Sequence, residues 1–301
     1  MATIFRHPEV EDYFVEWDAR SDAPDDVCRH YEDGKVVVMK NLLVDHDAQF
    51  LASLAMPNDP ELKKFKSAAF LNEFGSFRLR DWLKSPLTSL SGNARSPVIR
   101  VLRDKVFGGD KGRLEYFVEQ MRKIHRQIED LTARLFPNYR IVQPRITWRF
   151  QDTVNENLHV DVYRDDLPDH HLRIFANLDI VPRIWHTSYT LEYLLRNYLG
   201  RLNRDFVRRA TPGRICHDLN FEVFKGWEAA GREGCPKHII FFQPGEIWAV
   251  DSRKVSHQIF YGRRALSTDH AVARNSMRSP ETHYYELVER YRAECLAARL
   301  A

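Results

Sequence analysis

Two spacings of hydrophobic residues divide the chain. Between residues 112 and 136 apolar side chains recur three and four apart, at Leu114, Phe117, Val118, Met121, Ile124, Ile128, Leu131 and Leu135. Arg122, Lys123 and Arg126 fall on other faces. This is one buried stripe on a helix, and it predicts a helix ended by Pro137 and Asn138. Upstream, "GKVVVMKNLL" (34–43) reads as a short buried strand after a glycine turn. From residue 141 the texture becomes β-rich and the runs shorten: "RIVQPRITWRFQ", "NLHVDVYR", "HHLRIFANLDIV", "KHIIFFQ", "GEIWAVDS", "KVSHQIFYG" and "RALSTDHAV". "PDHH", "PG" and "YGRR" punctuate them. Short strands with turn signals between them predict an antiparallel sandwich or barrel.

One stretch interrupts the β pattern. Residues 188–210, "SYTLEYLLRNYLGRLNRDFVRRA", put Leu191, Leu194, Leu195, Tyr198, Leu199, Leu202 and Phe206 along one side and add five arginines. They read as an amphipathic basic helix. The last segment, 279–300, reads as a helix with Ser279 as N-cap and Pro280 at its first position. The expected organisation is a helix-rich region at 1–140 packed on a β core, the core itself at 141–275 with the insertion 188–210, and a C-terminal helix at 276–301. The fold class is α+β, a mainly β core flanked by helices.

Composition narrows the function classes. The charged fraction is 29%, the hydrophobic fraction 44% and the net charge +3. This is ordinary globular composition, too mildly basic to imply a nucleic-acid partner. Cys28, Cys216, Cys235 and Cys295 are far apart. Their spacing points away from a zinc ribbon or a disulfide scaffold and toward a reducing compartment. The first residues, "MATIFRHPEVEDYF", lack the apolar core of a signal peptide, and no apolar run reaches membrane-spanning length. The expected location is the cytoplasm, with contact at a membrane surface left open.

The candidate chemistry sits in "NENLHVDVYRDD" (155–166). His159 and Asp161 are two apart in an alternating run, hence on one face of a strand. A third ligand is expected from a strand late in the sequence, and "VSHQI" supplies His257. Two histidines and one carboxylate on neighbouring strands make the facial triad of non-haem iron(II) oxygenases, with positions left open for other ligands. Such an enzyme using 2-oxoglutarate also needs a cation for the distal carboxylate, a task suited to a guanidinium. Arg263 and Arg264 follow His257, and Arg264 is the better placed to point inward, with Ser267 adding a hydroxyl. Thr147 and Arg149 share a strand face, as do Arg173, Phe175 and Asn177. Inward polar groups at those positions suit a cavity holding acids better than an apolar core. His170 and His171 follow a turn and read as loop residues. His217, His238 and His270 lack an acid at ligand spacing.

At these residues the chain resembles the iron(II)/2-oxoglutarate-dependent oxygenases of the double-stranded β-helix (jelly roll) fold. More narrowly it is similar to the bacterial hydroxylases of Kdo, the acidic sugar 3-deoxy-D-manno-oct-2-ulosonic acid attached to lipid A. The resemblance rests on "ENLHVDVYRDDLPDHHLRIFANLD", "VPRIWHTSYTLEYLL" and "FFQPGEIWAVDSRKVSHQIFYGRRAL". It implies hydroxylation at C3 of Kdo on a lipid A precursor, with Fe(II), 2-oxoglutarate and O₂ consumed and succinate and CO₂ formed. It implies His159, Asp161 and His257 as metal ligands. Arg264, Arg149, Asn177 and Ser267 are then candidates for the co-substrate, and Arg173 and Arg263 for the acidic acceptor. Many members of the superfamily carry the 2-oxoglutarate arginine where this chain has Ser267, with Arg264 before it and Arg274 after it. The basic stretch 188–210 would meet either the acidic sugar or the inner-membrane surface. Two other readings remain open from the residues: an oxygenase of this fold acting on another small molecule or side chain, and a non-catalytic jelly roll that binds metal or sugar.

Overall fold

A computed structural model describes residues 1–54, 102–150, 153–154, 156–162, 169–225 and 234–298. Fourteen strands are assigned among them: β1 (Thr3–Phe5), β2 (Phe14–Asp18), β3 (Val36–Leu43), β4 (Ile141–Gln143), β5 (Ile146–Arg149), β6 (Thr153–Val154), β7 (His170–Leu172), β8 (Ile174–Asn177), β9 (Arg183–Thr190), β10 (His238–Phe242), β11 (Glu246–Ala249), β12 (Val255–Gly262), β13 (Ala265–Thr268) and β14 (His270–Val272). The principal helices are α1 (Pro24–Glu32), α2 (Ala48–Ser53), α3 (Lys111–Leu135), α4 (Leu191–Tyr198), α5 (Arg204–Arg209), α6 (Pro212–Phe224) and α7 (Tyr284–Ala298).

Two sheets face one another. The larger has the order β2-β3-β11-β8-β13-β5 and the smaller β1-β10-β9-β12-β6. A third, short sheet joins β4, β14 and β7. Pairing is antiparallel except between β2 and β3. Strand alternation gives the large sheet two different faces. One face presents Trp17, Val37, Met39, Trp148, Ile174, Ala176, Ile247 and Leu266 to the buried stripe of α3. The other presents Val36, Val38, Phe175, Trp248 and Val250 to Trp185, Ile240, Phe242 and Ile259 of the small sheet. Trp248 and Phe242 stack across this interior with ring planes 6° apart. This is the jelly-roll sandwich expected from the sequence.

The helix α3 follows its predicted stripe, and Asp110 caps it by accepting from the Arg113 N–H. Three expectations need correction. The N-terminal region adds β2 and β3 to the large sheet and β1 to the small one, so it is part of the sandwich as well as a helical cover. The stretch 188–210 is not one helix. Strand β9 continues to Thr190, whose side chain caps α4, and the path breaks at Leu202 and Asn203, where Asn203 caps α5. The C-terminal helix begins at Tyr284. Pro280–Thr282 form a separate 3₁₀ turn, because His283 adopts extended backbone (ψ 141°) and Ser279 makes no side-chain cap.

Helices α4 to α7 form their own layer around Leu191, Leu194, Leu195, Ile215, Leu219, Phe224 and Val288. Leu158 and Val160 pack into that layer from the segment that carries His159 and Asp161. No helix among the described residues is long and apolar enough to cross a membrane.

Candidate active site

The segment 157–161 is held to β12 by a pair of backbone bonds. His159 N–H donates to the His257 carbonyl at 3.1 Å, and His257 N–H donates to the His159 carbonyl at 2.8 Å. Directly paired residues point to the same face, so the two imidazoles converge, with ring centroids 4.8 Å apart. Asp161, two residues on, joins them. One donor atom from each of His159, Asp161 and His257 lies within 4.8 Å of the other two. Asp161 Oδ1 is 3.4 Å from His159 Nε2 and 4.0 Å from His257 Nε2. Adjacent ligands about 2.1 Å from one ion sit about 3 Å apart, so a small inward adjustment closes the triad on a metal.

The surroundings set the chemistry of each donor. His159 Nδ1–H donates to the Asn157 carbonyl at 2.8 Å and His257 Nδ1–H to the Val255 carbonyl at 3.2 Å. A carbonyl only accepts, so both rings carry a proton on Nδ1 and direct Nε2 inward, where it offers a lone pair whenever the ring is neutral. Trp185 stacks on the His257 ring at 5.2 Å and fixes its plane. Asp161 divides its oxygens. Oδ1 faces the imidazoles. Oδ2 accepts from Ser252 Oγ at 2.5 Å and lies 3.3 Å from Arg173 Nη1. Burial opposes ionisation of Asp161, but His159, Arg173 and His257 outweigh it and hold the carboxyl well below the usual range. Burial pushes His257 down to about 4, so its lone pair is available at neutral pH. Burial also acts against a charged His159, yet the bond to Asp161 overcomes it and raises this imidazole above its ordinary value.

Beside the triad is a cavity of about 90 Å³, lined among others by Arg149, Arg173, Arg183, Phe175 and Ser267. Arg149 and Ser267 therefore reach the space expected of them. Arg173 does too, but it bridges Asp161 and Asp269, at 3.3 and 3.7 Å, and lies over the Phe175 ring. These pairs hold the Asp161 carboxylate in its orientation.

Three expected residues lie elsewhere. Arg264 is buried with its guanidinium turned to the other side of the sheet. It donates to the carbonyls of Leu51 and Leu54 at the end of α2 and to the Phe150 carbonyl. The reason is alternation: Arg264 and Ser267 are three apart, and Ser267 faces the interior. Arg263 forms a two-pronged pair with the buried Asp179, at 2.7 and 2.6 Å. Asn177 is consumed in a turn, donating to the Val181 and Phe242 carbonyls and accepting from Asp179 N–H. His170 and His171 are strand residues, both buried, and His171 pairs with Asp269 at 2.8 Å.

Arg183 was not anticipated. It opens β9, is 3% exposed, and its Nε and Nη1 are buried without a hydrogen-bond partner among the described residues. Burial and then the like charge of Arg149 pull it down to about 9. Two unsatisfied guanidinium nitrogens in a lining where Arg149 and Arg173 outnumber Glu156 suit an anion. The alternation of Arg183, Trp185 and Thr187 in "RIWHTSYT" was the available signal. Ser252 was also missed, although it lies in the quoted run "AVDSRKVSH".

No family model matches the chain, and no curated protein matches it. Solved structures do. The crystal structure of the Kdo hydroxylase KdoO, a non-haem Fe(II) α-ketoglutarate-dependent dioxygenase, in complex with succinate and Fe(III), superposes with a TM-score of 0.57 at 18% identity. The match covers 92% of this chain and 95% of that one. The complex of the same hydroxylase with α-ketoglutarate and Fe(III) gives 0.57 at 17% identity, with the same coverage. Its apo structure gives 0.57 at 16% identity, covering 95% of this chain and 98% of that one. At this identity the likeness establishes the fold, which this chain shares over nearly its whole length.

Proposed function

We propose that the protein is an Fe(II)/2-oxoglutarate-dependent dioxygenase that hydroxylates C3 of the Kdo sugar on a lipid A precursor. The observation that carries the oxygenase reading is the convergence of two imidazole Nε2 atoms and a single carboxylate oxygen, His159, His257 and Asp161, beside a cavity with a buried, unsatisfied guanidinium. Three protein ligands leave coordination positions open, as catalysis requires, whereas a structural site would be closed. The similarity to the Kdo hydroxylase supports the choice of acceptor.

His159, Asp161 and His257 would hold the iron. Arg183, with Arg149 beside it and Ser267 in the same lining, would hold the distal carboxylate of 2-oxoglutarate. The bound iron supplies the redox chemistry that couples decarboxylation of 2-oxoglutarate to oxygen insertion into a C–H bond, with succinate, CO₂ and the alcohol as products. The protein positions and excludes. Ser252 and Arg173 keep Asp161 Oδ2 engaged, so Oδ1 would be the oxygen left for a metal. Trp185, Phe175 and Ile259 wall the cavity with apolar surface and keep bulk water from it. We place the reaction at the cytoplasmic side of the inner membrane, where the exposed Arg196, Arg201, Arg208 and Arg209 of the α4–α5 region would meet an anionic surface or the acceptor.

The test is incubation of Kdo-bearing lipid A precursor with the protein, Fe(II), 2-oxoglutarate and O₂, followed by mass spectrometry. One oxygen added at C3 of Kdo, with one succinate formed per hydroxylation, is expected. Unmodified Kdo with succinate at its acceptor-free level contradicts the acceptor assignment.

A further inference from the structure

Among the described residues, the segment that carries His159 and Asp161 has a strand neighbour on one side only. His159 spends both backbone groups on His257. In an extended chain the backbone groups of the next residue point to the opposite edge, where a further strand would normally pair with them. The residue there is Val160, fully buried, and its partner is a side chain of α6. Asn220 Oδ1 accepts from Val160 N–H at 3.0 Å, and Asn220 Nδ2 donates to the Val160 carbonyl at 2.9 Å. A carboxamide has the donor and acceptor of a peptide unit side by side, so one asparagine pairs with this edge as a strand's peptide unit would. Val160 and Leu158 meanwhile bury their side chains in the core to which α6 contributes Ile215, Cys216 and Leu219.

We propose that Asn220 is a positioning residue for the metal centre: it clamps the backbone between His159 and Asp161 and sets their mutual placement. The inference rests on the metal reading of the triad. Its content is that the helical layer, through one side chain, governs ligand geometry. The segment is pinned at both edges. On one, His159 pairs with His257 and Asp161 N–H donates to the Ser252 carbonyl at 2.8 Å; on the other, Asn220 alone holds Val160, so loss of Asn220 loosens the backbone between two ligands that stay anchored only from the first edge. An alternative in which Asn220 only stabilises α6 against the sandwich predicts no special effect on the metal.

Co(II) titration of the full chain followed by visible absorption separates these. Asn220→Ala leaves two buried backbone groups unpaired and is expected to weaken Co(II) binding at least tenfold, the lower end for an outer-shell partner. It should also alter the ligand-field bands and speed hydrogen exchange at the Val160 amide. Asn220→Asp keeps the acceptor for Val160 N–H but loses the donor, and should fall between Asn220→Ala and wild type. It serves if Asn220→Ala folds poorly. Thr211→Ala removes the cap of the same helix, where Thr211 accepts from Arg214 N–H, without touching the ligand segment. It should lower the melting temperature but leave Co(II) affinity within twofold and the bands unchanged. Wild-type Co(II) affinity and bands in both Asn220 variants, or an equal loss in Thr211→Ala, would overturn the positioning role alone. Co(II) binding that is absent from wild type, or unaffected by His159→Ala, would overturn the metal reading and this inference with it.

Discussion

Gly262 lies against the guanidinium of Arg183: a Cβ at this glycine would fall within van der Waals contact of Nη1 and 2.9 Å from Cζ. The glycine at the end of β12 thus shapes the place where the buried cation sits. A methyl group there has to displace the far end of Arg183. Gly262→Ala should leave the fold intact and weaken 2-oxoglutarate binding about ten- to hundredfold, the loss of a charge-assisted bond worth about 1–3 kcal/mol. Calorimetry on the iron-loaded variant measures this, and an unchanged dissociation constant removes Arg183 from the co-substrate site.

Arg183 and Arg264 should separate cleanly as lysine variants. Arg183→Lys keeps the charge and loses the planar fork, so co-substrate binding weakens while the melting temperature changes little. Arg264→Lys loses bonds to the carbonyls of Leu51, Leu54 and Phe150, so the melting temperature falls while 2-oxoglutarate affinity holds. Parallel thermal unfolding and calorimetry of both variants decide the matter. The reverse pattern would restore Arg264 to the site.

Mild acid should destabilise the fold by charging buried histidines. Burial depresses His270 to about 4 and His283 to about 3, below the ordinary imidazole value of 6.5. The unfolded chain therefore binds more protons than the folded one as pH falls below 6.5, and stability present above that pH is progressively lost. By pH 5 the two residues together remove about 4 kcal/mol. His159, shifted the other way, offsets part of this. Thermal unfolding of the metal-free protein between pH 7.5 and 5 should show a steady fall, shallower in His283→Gln. A flat profile contradicts the buried neutral state of these rings.

What the sequence revealed and what it hid follow from the range of the interactions. His159 and Asp161 were legible because strand alternation is local. His257 was legible because its strand carries the same alternation and a turn on each side. Arg264 was misplaced by a parity conflict that the sequence itself contains, since a residue three before an inward Ser267 faces out. The alternation that puts Arg183 on the face of Trp185 is in the sequence, but which face of β9 turns inward is set by its distant partners β10 and β12. Asn220 was invisible for the same reason: a helix residue that pairs with a strand backbone leaves no spacing signal. The stretch 188–210 had helical periodicity throughout, but the caps at Thr190 and Asn203 divide it.

If His159, Asp161 and His257 hold iron as proposed, 2-oxoglutarate should bind beside them in an iron-dependent way. Anaerobic calorimetry of 2-oxoglutarate into the protein, with and without Fe(II), measures this. One 2-oxoglutarate bound per chain is expected when Fe(II) is present, with binding strongly weakened when Fe(II) is omitted and in His257→Ala. Binding that is absent with Fe(II), or equally strong without Fe(II) and in His257→Ala, would contradict it.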